Sequence, residues 1–113
     1  MGESCIFCSD EVKKNAIMDN KLAYVVYDKY PQAQGHVLII PKRHSENWFK
    51  TTEEEKIAVF NLIEEVKVLL DYKYGPAGYN IVMNCGKSAG QVIFHTHVHL
   101  IPRYVGDSKK IFS

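Results

Sequence analysis

The chain has 113 residues, 46% apolar and 24% charged, which excludes a disordered polymer and permits one domain over residues 1–113 whose core needs no disulfide staples. Lysine and arginine number 14 against 13 acidic residues, so the net charge of +1 excludes a strongly basic surface for sequence-blind binding of nucleic acid. No apolar run approaches the roughly 20 residues that cross a bilayer. The start, Met1-Gly2-Glu3-Ser4-Cys5, lacks the basic flank and apolar stretch of a secretory signal. Three cysteines, Cys5, Cys8 and Cys85, make an odd count that speaks against a disulfide framework, so a cytoplasmic protein is expected.

Caps, turn residues and apolar periodicity predict the elements along the chain. Ser9 or Asp10 caps a short helix through Lys13. Ala16-Ile17-Met18 forms a short strand before a turn at Asp19-Asn20. Residues 22–27, β-branched and aromatic, form a strand. A loop with Pro31 follows, then a strand over 36–40 stopped by Pro41. Thr51-Thr52 caps an acidic first turn, and Ile57, Phe60, Ile63, Val66 and Leu70 mark a helix over 53–72 that ends at Gly75-Pro76. Residues 79–83 form a strand, 85–90 a glycine-bearing loop, and 92–101 a last strand stopped by Pro102. This order predicts an α+β fold, one long helix on an antiparallel sheet.

The segment Phe94-His95-Thr96-His97-Val98-His99-Leu100-Ile101 carries the strongest chemical signal. In a strand, alternate residues share a face, so His95, His97 and His99 line one side and apolar residues the other. Such a row suits two chemistries. Neutral imidazoles bind metal, but same-face neighbours lie about 6.6 Å apart, so three in a straight row reach one ion only with strain. Alternatively, a central imidazole attacks phosphorus while its neighbours stabilise charge and exchange protons. The preceding loop, Asn84 to Gln91, offers glycines, backbone N–H groups and amide side chains suited to an anion.

The motif His95-x-His97-x-His99-Leu100-Ile101, with Gly35-His36-Val37-Leu38-Ile39-Ile40-Pro41-Lys42-Arg43-His44 upstream and Ala89-Gly90-Gln91 and Pro102-Arg103 beside it, resembles the histidine triad (HIT) family of nucleotide hydrolases and transferases. The similarity runs from Cys5 to Arg103. It implies a HIT-like fold: a five-stranded antiparallel sheet, one long helix and a short N-terminal helix, usually as a homodimer that joins two sheets. It implies His97 as the nucleophile at the α-phosphate, forming a nucleotidyl-histidine, His99 on a phosphate oxygen, and His95 and His36 completing the polar network. Asp28 falls at the ribose-binding position. Asn84, Gly90, Gln91 and Val92 fall around the phosphates. The substrate is then a dinucleoside polyphosphate or a nucleoside phosphoramidate, with no cofactor needed for catalysis.

Two features stand apart from that pattern. Val92 occupies a position where the family commonly carries Ser or Thr, whose hydroxyl donates to the leaving group. Lys29 and Tyr30 replace the apolar or small residues expected near the nucleoside. Cys5-x-x-Cys8 is half of a metal site by spacing, or a plain pair of thiols. Some bacterial members of the family that share this pair and the Pro-Lys-x-His block bind zinc, and the resemblance then implies a closed structural set of Cys5, Cys8, His44 and His95. Cys85 is read as a loop residue. Two alternatives to a hydrolase stay open: a nucleotide- or partner-binding module without turnover, and a zinc-binding protein that uses the histidine strand itself.

Overall fold

A computed structural model describes residues 5–107. The chain forms α1 (Asp10–Lys14), β1 (Met18–Asp19), β2 (Ala23–Tyr27), β3 (Val37–Pro41), α2 (Glu53–Tyr74), β4 (Gly78–Val82) and β5 (Val98–Arg103), with single 3-10 turns at Ile6–Cys8, Trp48–Lys50 and Lys87–Ala89. The five strands make one antiparallel sheet in the order β1-β2-β3-β5-β4. The expected fold, a five-stranded antiparallel sheet with one long and one short N-terminal helix, is the fold observed.

The strand alternation sorts the core into two layers. Ala23, Val25, Val37, Ile39, Val98 and Leu100 face α2 and pack on Ala58, Val59, Leu62, Val66 and Leu70. Tyr24, Val26, Leu38 and Ile40 point the other way and meet Phe7, Val12 and Ile93. The long helix therefore covers one sheet face. The N-terminal turn and α1 cover part of the other, and the histidines open there.

Helix α2 begins with a reciprocal cap. The Thr52 hydroxyl accepts from Glu55 N–H, while the Glu55 carboxylate accepts from Thr52 N–H at 2.8 Å. Glu55 is buried and also takes two hydrogen bonds from Arg43, at 2.8 and 2.9 Å. The helix ends at Gly75, whose φ of +60° is the left-handed cap that glycine adopts without strain. Gly35 is required for a different reason. Its φ is +87°, and a Cβ there would stand 2.9 Å from the Tyr74 ring.

Several boundaries differ from the sequence expectation. The first strand covers Met18–Asp19 instead of starting at Ala16. Helix α2 runs two residues further, to Tyr74, and its apolar stripe is rotated. Ile57 and Phe60 are about half exposed, while Ala58, Val59 and Leu62 take the core positions. Spacings of three and four fit both rows, and sheet packing selects one. The largest correction concerns the last strand. Residues 92–97 are irregular, and β5 starts only at Val98. Pro102 does not stop it, because pairing with β3 ends at Leu100 and the strand continues along β4 through Tyr79↔Pro102.

Candidate active site and metal centre

A cavity of about 670 Å³ lies on the sheet face opposite α2. Ile6, Phe7, Val26 and Leu38 give it apolar walls, and Asp28, Asn84, Gly90, Val92, His97 and His99 line it as well. Of the residues expected around a nucleotide, all but Gln91 meet in this one space.

The register explains the meeting. Leu38 pairs with His99 across β3 and β5, so the residue two before Leu38 on the same face, His36, sits diagonally beside His99. Their rings are bonded Nε2 to Nδ1 at 3.0 Å. The tautomers follow from backbone partners. Gln32 N–H donates to His36 Nδ1 at 3.0 Å, so the neutral ring carries its proton on Nε2. That proton is donated to His99 Nδ1, with the Asp28 carboxylate 3.3 Å away as a second acceptor. The proton of His99 is then on Nε2. His97 is fixed separately: its Nδ1–H donates to the His95 carbonyl at 2.8 Å, which leaves a lone pair on Nε2. His97 and His99 stand edge to face, ring centroids 5.1 Å apart.

The electrostatics hold these rings neutral. Burial pushes His97 below the ordinary histidine value, against the His95 carbonyl and Asp28, which favour its charged form. Burial takes His99 to about 4, reinforced by His97 and His36 and opposed by Asp28. His36 is also lowered by burial, which outweighs the attraction of Asp28. A neutral His97 with a free nitrogen can act as a nucleophile at neutral pH. A neutral His99 with Nε2–H can donate to an anionic oxygen.

Asp28, His36 and His99 lie close enough to suggest a metal site. The tautomer argues otherwise, since the nitrogen of His36 that faces the group bears its proton. The cluster is a hydrogen-bonded relay.

The loop after β4 is braced internally. Gly86 N–H donates to Gln91 Oε1 at 2.8 Å, and Gln91 Nε2 donates to the carbonyls of Glu46 and Ile93 at 2.6 and 3.0 Å. Gln91 is buried, and both ends of its amide are engaged by the backbone. In this arrangement Gln91 braces the loop that carries Asn84, Gly90 and Val92. Lys29 and Tyr30 also line the cavity, next to Asp28.

His95 belongs to a second cluster. It is fully buried, and its Nε2–H donates to the Pro41 carbonyl at 2.8 Å, so Nδ1 holds a lone pair. That nitrogen faces Cys5 Sγ at 3.3 Å and Cys8 Sγ at 3.5 Å, and Cys8 Sγ lies 3.4 Å from His44 Nδ1. All four donor atoms fall within 4.8 Å of one another. In a tetrahedral zinc site with usual bond lengths, sulfur and nitrogen ligands stand about 3.6 Å apart. The four side chains thus already have the shape and donor chemistry of a closed Cys₂His₂ centre. Burial raises the Cys8 thiol, with further contributions from Cys5. A bound cation would reverse that preference.

Phe7 was not singled out from the sequence, yet it is buried between the two clusters, with its ring 5.9 Å from that of His95 and 5.2 Å from that of His97. Its place inside Cys5-x-x-Cys8 was the available signal. The Gln32 backbone donor was not foreseeable from residue type.

The family model for the HIT domain matches residues 9–106. The chain is 40% identical over 104 residues to an uncharacterised 16.1 kDa HIT-like protein of Mycoplasma pneumoniae, covering 89% of this chain and 72% of that one. It is 30% identical over 103 residues to an adenosine 5'-monophosphoramidase of Schizosaccharomyces pombe, covering 88% and 74%. Among solved structures, a zinc-bound histidine triad family protein of Mycobacterium smegmatis superposes with a TM-score of 0.86 at 28% identity, covering 98% and 83%. The chain belongs to the HIT family, whose members include hydrolases that act on nucleotide phosphates.

Proposed function

We propose that this chain, acting as one HIT domain, is a nucleoside phosphate hydrolase that works through a nucleotidyl-His97 intermediate. The observation that carries the reading is the His97 ring: its Nδ1–H is tied to the His95 carbonyl, and its unprotonated Nε2 belongs to a residue that lines the cavity. Nε2 attacks the α-phosphorus, the bond to the leaving group breaks, and the leaving group takes its proton from solvent water, since Val92 has none to give. Water then attacks phosphorus, the phosphorus–nitrogen bond breaks back to a neutral His97, the water's proton passes to solvent, and a nucleoside monophosphate is released. His99 Nε2–H is the donor for a non-bridging phosphoryl oxygen, positioned by His36. Asp28 accepts from the ribose hydroxyls, and Asn84 with the loop at Gly90 and Val92 borders the phosphates.

The substrate is a nucleoside phosphoramidate or a dinucleoside polyphosphate. The printed name of the fission yeast relative favours the first. Cys5, Cys8, His44 and His95 hold a structural zinc that ties the N-terminal turn to the sheet, with no part in bond cleavage. The Mycobacterium relative with bound zinc supports this assignment. A homodimer built by sheet extension is the expected assembly, and β4, an outer strand with Ile81 exposed, is the edge it would use. A cytoplasmic setting fits three cysteines that are not bridged by a disulfide, two of them placed to bind metal. No helix among the described residues is long and apolar enough to cross a membrane.

The test is release of AMP from adenosine phosphoramidate and from diadenosine polyphosphates by wild type and His97→Asn. Turnover in the wild type and none in the variant is expected. Equal rates in both would remove the covalent mechanism. AMP binding without any product would favour a binding module.

A further inference from the structure

The residues between Cys5 and Cys8 do more than span two ligands. The chain turns once over Ile6–Cys8, with Cys8 N–H donating to the Cys5 carbonyl at 3.1 Å. This turn puts Ile6 and Phe7 into the wall of the nucleotide cavity. The Phe7 backbone is held from the sheet side, where the Tyr24 hydroxyl donates to its carbonyl at 2.6 Å. Its ring stands edge-on to His95 and to His97. His95 in turn offers Nδ1 to the thiols and its carbonyl to His97 Nδ1–H. Two physical links therefore join the thiol cluster to the nucleophile, one through the His95 backbone and one through the Phe7 ring.

We propose that Phe7 is a positioning residue for the His97 imidazole, and that metal loading of Cys5, Cys8, His44 and His95 tightens nucleotide binding by fixing the Phe7 turn. Without a metal, the thiols contact the imidazoles through weak sulfur–nitrogen interactions of 3.3–3.5 Å. Metal bonds would hold both ends of the turn to the sheet at once. Phe7 would then have one place to stand, and the His97 ring beside it one orientation. Linkage makes the effect reciprocal: whatever factor the metal adds to nucleotide affinity, the nucleotide adds to metal affinity.

The inference rests on the nucleotide and zinc readings, and its test separates them. The dissociation constant of AMP is measured by calorimetry on zinc-loaded and chelator-stripped protein, at one pH. Nitrogen-15 spectra of the His97 ring are recorded for each form and for zinc-loaded Phe7→Leu. The loaded wild type is expected to bind AMP about fivefold tighter or more than the stripped form. Phe7→Leu should retain one zinc per chain and narrow that ratio to about twofold or less. Its His97 signals should move from a single Nδ1–H tautomer toward averaging, as in the stripped wild type. Equal AMP affinity in the two wild-type forms would overturn the proposal, as would a His97 ring unmoved by Phe7→Leu. If AMP binds neither form, the nucleotide reading falls, and the His97 signals alone decide the positioning role. If the stripped protein does not fold, the loaded Phe7→Leu spectrum decides it. If the protein takes up no zinc, the coupling is rejected.

Discussion

His36 and His99, 63 residues apart in the chain, share a 3.0 Å hydrogen bond from Nε2 of the first to Nδ1 of the second. The β3–β5 register brings them together, and one backbone N–H, that of Gln32, decides which nitrogen of each ring carries the proton. His36 does not line the cavity and reaches it through His99. In the proposed reading its role is to present His99 as a donor.

That role predicts a separable defect in His36→Phe, which keeps a buried ring and removes the donor. The turnover number should fall about tenfold, equivalent to about 1.4 kcal/mol of transition-state stabilisation. AMP affinity should change by less than about threefold, since the apolar walls and Asp28 remain. Steady-state kinetics alongside calorimetry reads both. A loss confined to binding would reject the relay.

The depressed histidines make a pH prediction for stability. His99 is near 4 when folded, against 6.5 as its ordinary value. Between those limits the unfolded chain binds more protons, so stability falls as pH falls from about 6.5 to about 4. At about 1.4 kcal/mol per pH unit, the His99 share reaches at most about 3.5 kcal/mol. Denaturant melts from pH 7 to 4, in chelator so that metal loss does not contribute, should show this slope. It should be shallower in His99→Asn. Parallel profiles for the two proteins would contradict the assignment.

Val92 yields a prediction about leaving-group chemistry. It lines the cavity, is 83% exposed, and has no hydroxyl to donate. Val92→Ser adds a donor at a solvent-facing position where little packing is lost. Activity on a phosphoramidate should equal or exceed wild type. A large drop in kcat/KM would show that the apolar side chain itself is needed.

The fold was legible in the sequence where one physical signal dominated. The Thr52 cap, Gly75 and the β-branched runs of β2 and β3 each have one structural outlet, and each was placed to within about two residues. The α2 stripe was harder, because Ile57 and Phe60 satisfy helical spacing as well as Val59 and Leu62 do. The histidine alternation predicts one strand over 92–101. In the structure only His99 lies in β5, while His95 and His97 sit on irregular chain ahead of it. The period still singled out residues that the fold gathers near one another, but not their partners. His95 turned to the thiols and the Pro41 carbonyl, a choice set by contacts 54 or more residues away. Gln91 looked like an anion ligand by type and is engaged by the backbone of its own loop and of Glu46.

Capturing the intermediate tests the covalent mechanism most directly. Wild-type protein mixed with excess adenosine phosphoramidate, quenched within milliseconds to seconds and kept cold at alkaline pH, is digested and mapped by mass spectrometry. A nucleotidyl-His97 intermediate leaves one adenylyl group on the peptide that carries His97, labile to acid and absent in His97→Asn. An adduct on another residue, or AMP formed at full rate with no adduct at any quench time, would contradict it.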